Sequence, residues 1–230
     1  MPVNEFGQPV GDNLGEWTPP KFPPGEVLRG RTVELVPLDV ALHGPELASA
    51  LVEVEGSRWT YLPFGPFTHP AEVTEVLVAV TDRPDWLVYA VRVAEETVGF
   101  LAYLRIDPRQ GAIEIGSIVF PVGLSRTTAA TETLFLLIDH CFSLGYRRCE
   151  WKCDDLNAPS RAAAERLGFR YEGTFAKATH YKGRSRNTAW FAITDDEWPE
   201  LREGLAAWLD PRNFTPDGDQ RRSLNVIRGE

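Results

Sequence analysis

Cysteine, methionine and histidine are scarce in this chain, which holds three, one and four of them among 230 residues. Cys141, Cys149 and Cys153 are too few for a disulfide framework. Cys149 and Cys153 share one face of an alternating segment with Trp151, which points to buried thiols rather than metal ligands. No further ligands stand at zinc-binding spacing, so no metal is expected. Basic charge is also short: 24 Lys and Arg face 33 Asp and Glu, a net charge of −9. That balance argues against a polyanion-binding surface, and Arg147-Arg148 is too brief to support nucleic-acid binding. No apolar run approaches the ~20 residues that span a bilayer, so no membrane association is expected. Met1 to Gly7 lacks the basic and apolar pattern of a signal peptide, which makes the cytoplasm the expected location. No Ser/His/Asp or Cys/His set converges in a motif, which leaves hydrolase chemistry without support.

What is present is an ordinary globular composition, with 43% hydrophobic and 25% charged residues. Residues 1–27 are rich in Gly and Pro and read as an extended arm over a domain surface. Leu28 to Leu38 reads as one strand, 39–55 as a helix, the aromatic, proline-broken 58–67 as a loop, and 70–81 as a second helix. Three strands follow as a meander: Trp86 to Val93, Thr97 to Ile106 and Ala112 to Phe120. Ala130, Leu134, Leu137, Ile138 and Cys141 then recur at helical spacing, with Gly145 as a stop. Arg147 to Asp154 alternates as a strand, and Asn157 to Leu167 makes a short helix ended by Gly168. Strands fit Arg170 to His180 and Asn187 to Ile193. Thr194-Asp-Asp-Glu197 has the form of a capping box that starts a last helix, and a loosely ordered tail is expected from Asp210.

One junction carries chemistry. A strand ending at Phe120 feeds a helix starting near Arg126, with Thr127, Thr128, Ala129, Ala130 and Thr131 in its first turns. A helix N-terminus offers free N–H groups and about half a positive charge, a ready phosphate site. Small side chains allow close approach to the backbone, and Arg126 adds a mobile countercharge. By itself the stretch reads first as an ordinary helix start capped by Ser125, since many helices begin this way.

Together with its neighbours, this junction resembles the acyl-CoA-binding half of a GNAT N-acetyltransferase. Leu124 to Thr131 is similar to motif A of that superfamily, and Thr131-Glu132 to the pair that follows the loop in its Rim-type, ribosomal-protein N-terminal acetyltransferase subgroup. Leu28 to Leu38 resembles the subgroup's opening strand, and Ile113-Glu-Ile-Gly116 the strand before motif A. Asn157-Ala-Pro-Ser160 with Leu167-Gly-Phe169 resembles motif B. The likeness spans about residues 28–193 in matching order. Ser125, Thr127 and Thr128 stand where the family often has Gln and glycines, and Ala164 stands where many members place a Tyr.

The resemblance implies acetyl-CoA as cosubstrate and a primary amine as acceptor, either a protein N-terminus or a small aminoacyl or amine metabolite. It implies donor binding by Ser125 to Thr131 and by Asn157, with the backbone of Ile118, Val119 and Phe120 pairing to the pantetheine arm. A bulge in that strand would aim an N–H at the thioester carbonyl. Glu114 is the implied base, direct or through water, and Ser160 the implied acid, each such role contributing typically 10²–10⁴-fold. Otherwise Glu114 reads as a solvated strand residue or a substrate-orienting acid, and Ser160 as a first-turn hydroxyl satisfying local backbone groups. Trp59, Tyr61, Phe64 and Phe67 either wall an acceptor pocket or cover a core edge; His180 to Arg184 is a substrate-side hairpin or a solvated turn.

The expectation is an α/β protein (an α+β mixed sheet) of the GNAT acyl-CoA N-acyltransferase-like fold. Its sheet is mostly antiparallel with helices on both faces, and it opens as a V where the strands of 112–120 and 147–154 diverge. The acetyltransferase domain is expected at 28–194, and 195–230 as a C-terminal helix and tail packed on it, with a homodimer as one possible use of that tail. The competing reading is a non-catalytic acyl-CoA-binding or regulatory module on the same scaffold.

Overall fold

The computed structural model describes every residue except Glu53, Val122 and Glu230. Eight strands form one sheet: β1 (Leu28–Arg29), β2 (Glu34–Pro37), β3 (Leu87–Val93), β4 (Glu96–Asp107), β5 (Ala112–Val119), β6 (Arg148–Asp154), β7 (Arg170–Tyr181) and β8 (Arg184–Thr194). Their order is β1-β2-β3-β4-β5-β6-β8-β7. Every neighbouring pair is antiparallel except β5 and β6. A parallel pair needs a crossover, and helix α3 (Thr128–Ser143) supplies it.

Side chains that alternate along the strands feed two cores. Tyr89, Leu101, Tyr103, Ile113 and Ile115 face α3. The same core takes in α4 (Ala158–Leu167), α5 (Trp198–Leu209) and α6 (Leu224–Arg228). Val88, Phe100, Ala102, Leu104 and Val119 face the other way, onto α1 (Val40–Leu51) and α2 (Pro70–Thr81). Helices therefore cover both faces, as the apolar patterns require. Cys141, Cys149 and Cys153 are free thiols inside the first core.

Three local expectations are corrected. The opening segment is two strands, because the chain folds at Gly30–Thr32 around the carboxylate of Glu132 on α3. That carboxylate accepts the N–H groups of Arg31 and Thr32, each at 2.7 Å, and the Thr32 hydroxyl. A side chain at residue 30 would collide with it, since a Cβ there would lie 2.7 Å from Glu132 Cδ. Second, Thr194-Asp-Asp-Glu197 forms only half a capping box. Glu197 accepts from the Thr194 N–H and hydroxyl, both at 2.8 Å, and α5 starts after it. Third, residues 211–229 fold back onto α5 and the core instead of trailing loosely. Asn213 donates to the carbonyls of Trp208 and Arg222 at 3.1 Å, Trp208 Nε1 donates to Gln220, and Leu224 is buried in the core.

Candidate active site

β5 and β6 lie side by side only from Ala112–Glu114 to Arg148–Glu150. Beyond that they part, because β5 carries an extra residue. Its register against β4 shifts between Gly116 and Val119, and Ser117 sits at φ 50. This is the expected bulge, which bends the strand and frees its backbone from ladder pairing. Gly99 on β4 permits the close crossing, since a Cβ there would stand 2.5 Å from the Val119 carbonyl oxygen. The resulting opening has a volume of about 1990 Å³ and runs from the α1–α2 side of the sheet to the start of α3.

Ile118, Val119 and Phe120 line it, the first two on the stretch of β5 that has no β6 partner. The chain then turns through Leu124 and Ser125, each N–H donating to the Pro121 carbonyl, into α3. The cap of α3 is Thr127, not Ser125 as expected: its Oγ1 accepts from the Ala130 N–H at 3.1 Å and donates to the Leu124 carbonyl at 2.7 Å. Ser125 is displaced from capping because Arg126, at φ 65, redirects the chain. Its hydroxyl instead donates to the Pro121 carbonyl and accepts from Arg58 Nη2 at 2.9 Å. Thr128 and Ala129, the first helical residues, keep N–H groups that no helical carbonyl can reach; Thr128 lines the opening, with exposed Arg126 beside it. Ala130 is buried in the core and Thr131 lies beneath the rim.

Asn157 caps α4, its Oδ1 accepting the Ser160 N–H at 3.2 Å. The Ser160 hydroxyl accepts Trp151 Nε1–H at 3.0 Å. That bond uses one lone pair of the oxygen, and the hydroxyl's proton can turn to a second acceptor, of which the Cys153 sulfur is one. Ala164, at the position where a Tyr would supply that function, is fully buried. The Cys153 thiol lies within reach of Ser160, and burial pushes that thiol's pKa up despite the hydroxyl.

Glu114 is buried on the opposite face of the sheet from Ser160, at the base of the V. It is no solvated strand residue. Arg105 donates to both of its oxygens, at 2.7 and 3.2 Å, and Lys152 Nζ stands 3.1 Å away. Lys152 is itself buried against Glu150 at 2.6 Å and lies 3.7 Å from the Trp190 ring centre. The structure therefore places Glu114 and Ser160 on one opening without bringing them into contact.

Sequence reading missed a pair beside them. Tyr181 donates to Asp154 at 2.6 Å, where β6 ends and α4 begins. Burial, reinforced by that acceptor, pushes the Tyr181 hydroxyl above its ordinary range. The only sequence signal was a Tyr in the hairpin, whose depth depends on how the hairpin tip docks. The tip itself is exposed, as a solvated turn would be, but it is anchored: Lys182 donates to the carbonyls of Trp59 at 2.6 Å and Phe64 at 3.0 Å. Of the loop aromatics, Trp59 and Phe67 are core, with ring centres 4.8 Å apart, while Tyr61 and Phe64 stay half-exposed on the wall.

The profile of the acetyltransferase (GNAT) domain family matches residues 33–170. A GCN5-related N-acetyltransferase from Brucella melitensis is 43% identical, with 94% of this chain and 100% of that one covered and a TM-score of 0.91. A probable GNAT-family acetyltransferase from Chromobacterium violaceum is 40% identical over 84% and 98% of the two chains, with a TM-score of 0.80. RimL, a ribosomal L7/L12 α-N-protein acetyltransferase in complex with coenzyme A, shares the fold at 23% identity, with coverage of 75% and 99% and a TM-score of 0.62. No curated protein sequence matches the chain. The Rim-type likeness is thus one of fold, and the stronger matches are GNAT acetyltransferases without a stated acceptor. The chain belongs to the GNAT acetyltransferase family and is an acyltransferase dependent on acetyl-CoA.

Proposed function

We propose that this enzyme moves the acetyl group of acetyl-CoA directly to a primary amine held in the opening between β5 and β6, without a covalent acyl-enzyme. The observation that carries the reading is the bulged end of β5, which has no β6 partner, leading through a tight turn into an α3 N-terminus with free N–H groups. Acetyl-CoA supplies an acyl thioester and a thiol leaving group. Thr128 and Ala129, with Ser125, Arg126 and Thr127 around them, hold the diphosphate. The backbone of Ile118 to Phe120 pairs with the pantetheine arm, and Asn157 fixes α4 alongside it. An N–H at the bulge stabilises the oxyanion that forms when the amine attacks the carbonyl.

Ser160 donates its proton to the departing thiolate as the carbon–sulfur bond breaks, and regains one from solvent. The Trp151 N–H at its oxygen supports the charge that builds there. Glu114 takes the amine's proton through an intervening water, because Arg105 and Lys152 occupy its direct contacts.

The acceptor enters on the side of Tyr61, Phe64, Arg105 and Trp190. A protein N-terminus is one fitting acceptor, supported by the shared fold of RimL, which acts on a ribosomal protein. A small aminoacyl or amine metabolite is the other. Thiol release from acetyl-CoA, measured across peptides, amino-acid derivatives and polyamines from neutral to mildly alkaline pH, tests the proposal. Acceptor-dependent release is expected for one class. Release that never rises above the acceptor-free rate would reject direct transfer.

A further inference from the structure

Arg166 on α4 is a cation in a costly place. It sits half-buried, and no carboxylate among the described residues pairs with it. Burial alone moves its pKa, downward, as expected for a charge stripped of water without a counter-ion. Its Nη1 donates to Thr131 Oγ1 at 3.2 Å, in the opening turns of α3. That end of a helix carries about half a positive charge, which repels a cation. A protein that only needed to fill this space would do so more cheaply with an uncharged side chain.

The guanidinium is nevertheless held firmly. Its carbon lies 4.7 Å from the ring centre of Trp208 on α5. Trp208 is fixed in turn by its N–H bond to Gln220 at 2.8 Å and by edge contact with Phe214, ring centres 5.2 Å apart. Arg228 on α6 donates to the carbonyls of Arg166 and Leu167, tying the end of α4 to the C-terminal segment. Arg166, Thr131, Trp208, Phe214 and Gln220 all line the same opening as the donor groove. A planar cation stacked on an indole, with donors left over and an anion-favouring helix end beside it, is built for a phosphate.

We infer that Arg166, presented by Trp208 and the C-terminal segment, binds a phosphate group at the nucleotide end of the donor. This rests on the acetyl-CoA reading and deepens it: α5, α6 and the chain between them form a wall of the donor site. The phosphate is either the 3′-phosphate of the ribose or the diphosphate, and the two respond differently to one comparison.

Binding of CoA and of 3′-dephospho-CoA would be measured by calorimetry on the full chain, for the wild type and for Arg166→Gln and Arg166→Lys. Loss of one charge-assisted contact predicts that Arg166→Gln weakens binding about 10- to 100-fold, with Arg166→Lys intermediate. A loss seen with CoA alone assigns the 3′-phosphate, and an equal loss with both ligands assigns the diphosphate. Wild-type affinity for both ligands in a folded Arg166→Gln would overturn the inference. Trp208→Leu should reproduce part of the loss while Arg166 is intact; if it weakens neither ligand, the C-terminal segment is no part of the site. Failure of the wild type to bind either ligand would instead remove the donor reading, and this inference with it.

Discussion

Replacing Ser160 by Ala separates two roles that meet in one oxygen. The hydroxyl is the acceptor for Trp151 Nε1–H at 3.0 Å, and Trp151 is only 5% exposed. Deleting it strands a buried N–H, which costs about 1–3 kcal/mol. In a chain of this length each kcal/mol moves Tm by roughly 2–4 °C, so a fall of about 2–12 °C is expected. Helix α4 keeps its cap, because Asn157 bonds the backbone N–H of residue 160 rather than its side chain. Donor affinity should therefore stay near wild type. Turnover should fall by about 10²–10⁴-fold if the hydroxyl is the proton source for the leaving thiolate. Thiol-release kinetics and a urea or thermal melt on the same preparation read both effects. Ser160→Thr, which restores a hydroxyl, should recover part of each. Wild-type kcat in Ser160→Ala would refute the acid role, and an unchanged melt would refute the hydrogen-bond argument.

Three further outcomes follow from the structure. Glu114→Gln should lower kcat most at the acid end of the working pH range, where the amine is hardest to deprotonate; a pH–rate profile parallel to wild type would remove Glu114 as the base. Glu132→Ala should destabilise the fold by about 3 kcal/mol or more, because it leaves the Arg31 and Thr32 N–H groups and the Thr32 hydroxyl without their acceptor, and a urea midpoint within error of wild type would contradict that anchor. His140 supplies the pH prediction. Burial lowers its pKa more than Glu26, 3.0 Å from Nε2, raises it. The unfolded chain then binds this proton more readily than the folded one. Stability should decline as pH falls through the ordinary histidine range of about 6.5 and below. His140→Gln should flatten that part of the stability curve, and a slope of equal size in the variant would refute it.

The order of elements was open to sequence reading because it depends on local periodicity. Alternation marked β3 to β6, helical spacing marked α3, and α2 (Pro70–Thr81) fell where a helix over about 70–81 was expected. Asn157 and Ser160 were legible too, since a cap and a first-turn hydroxyl sit within one turn of each other. The first strand was misread because its break is caused by Glu132, about a hundred residues away. Ser125 was misjudged as a cap because Arg126 takes a left-handed conformation that composition does not announce.

The sequence by itself determined most of the elements, because each rests on neighbours in the chain, and the family, because its motifs keep their order along it. Tertiary structure decided what those residues face. It converted Glu114 from a strand carboxylate into the centre of an ion-paired floor, and it brought Lys152 and Arg105 to it from two other strands. It joined Tyr181 to Asp154 across the end of β6. It also folded the C-terminal segment back so that Trp208 meets Arg166. Contacts between distant segments depend on how strands splay and helices dock, and no local pattern encodes that geometry.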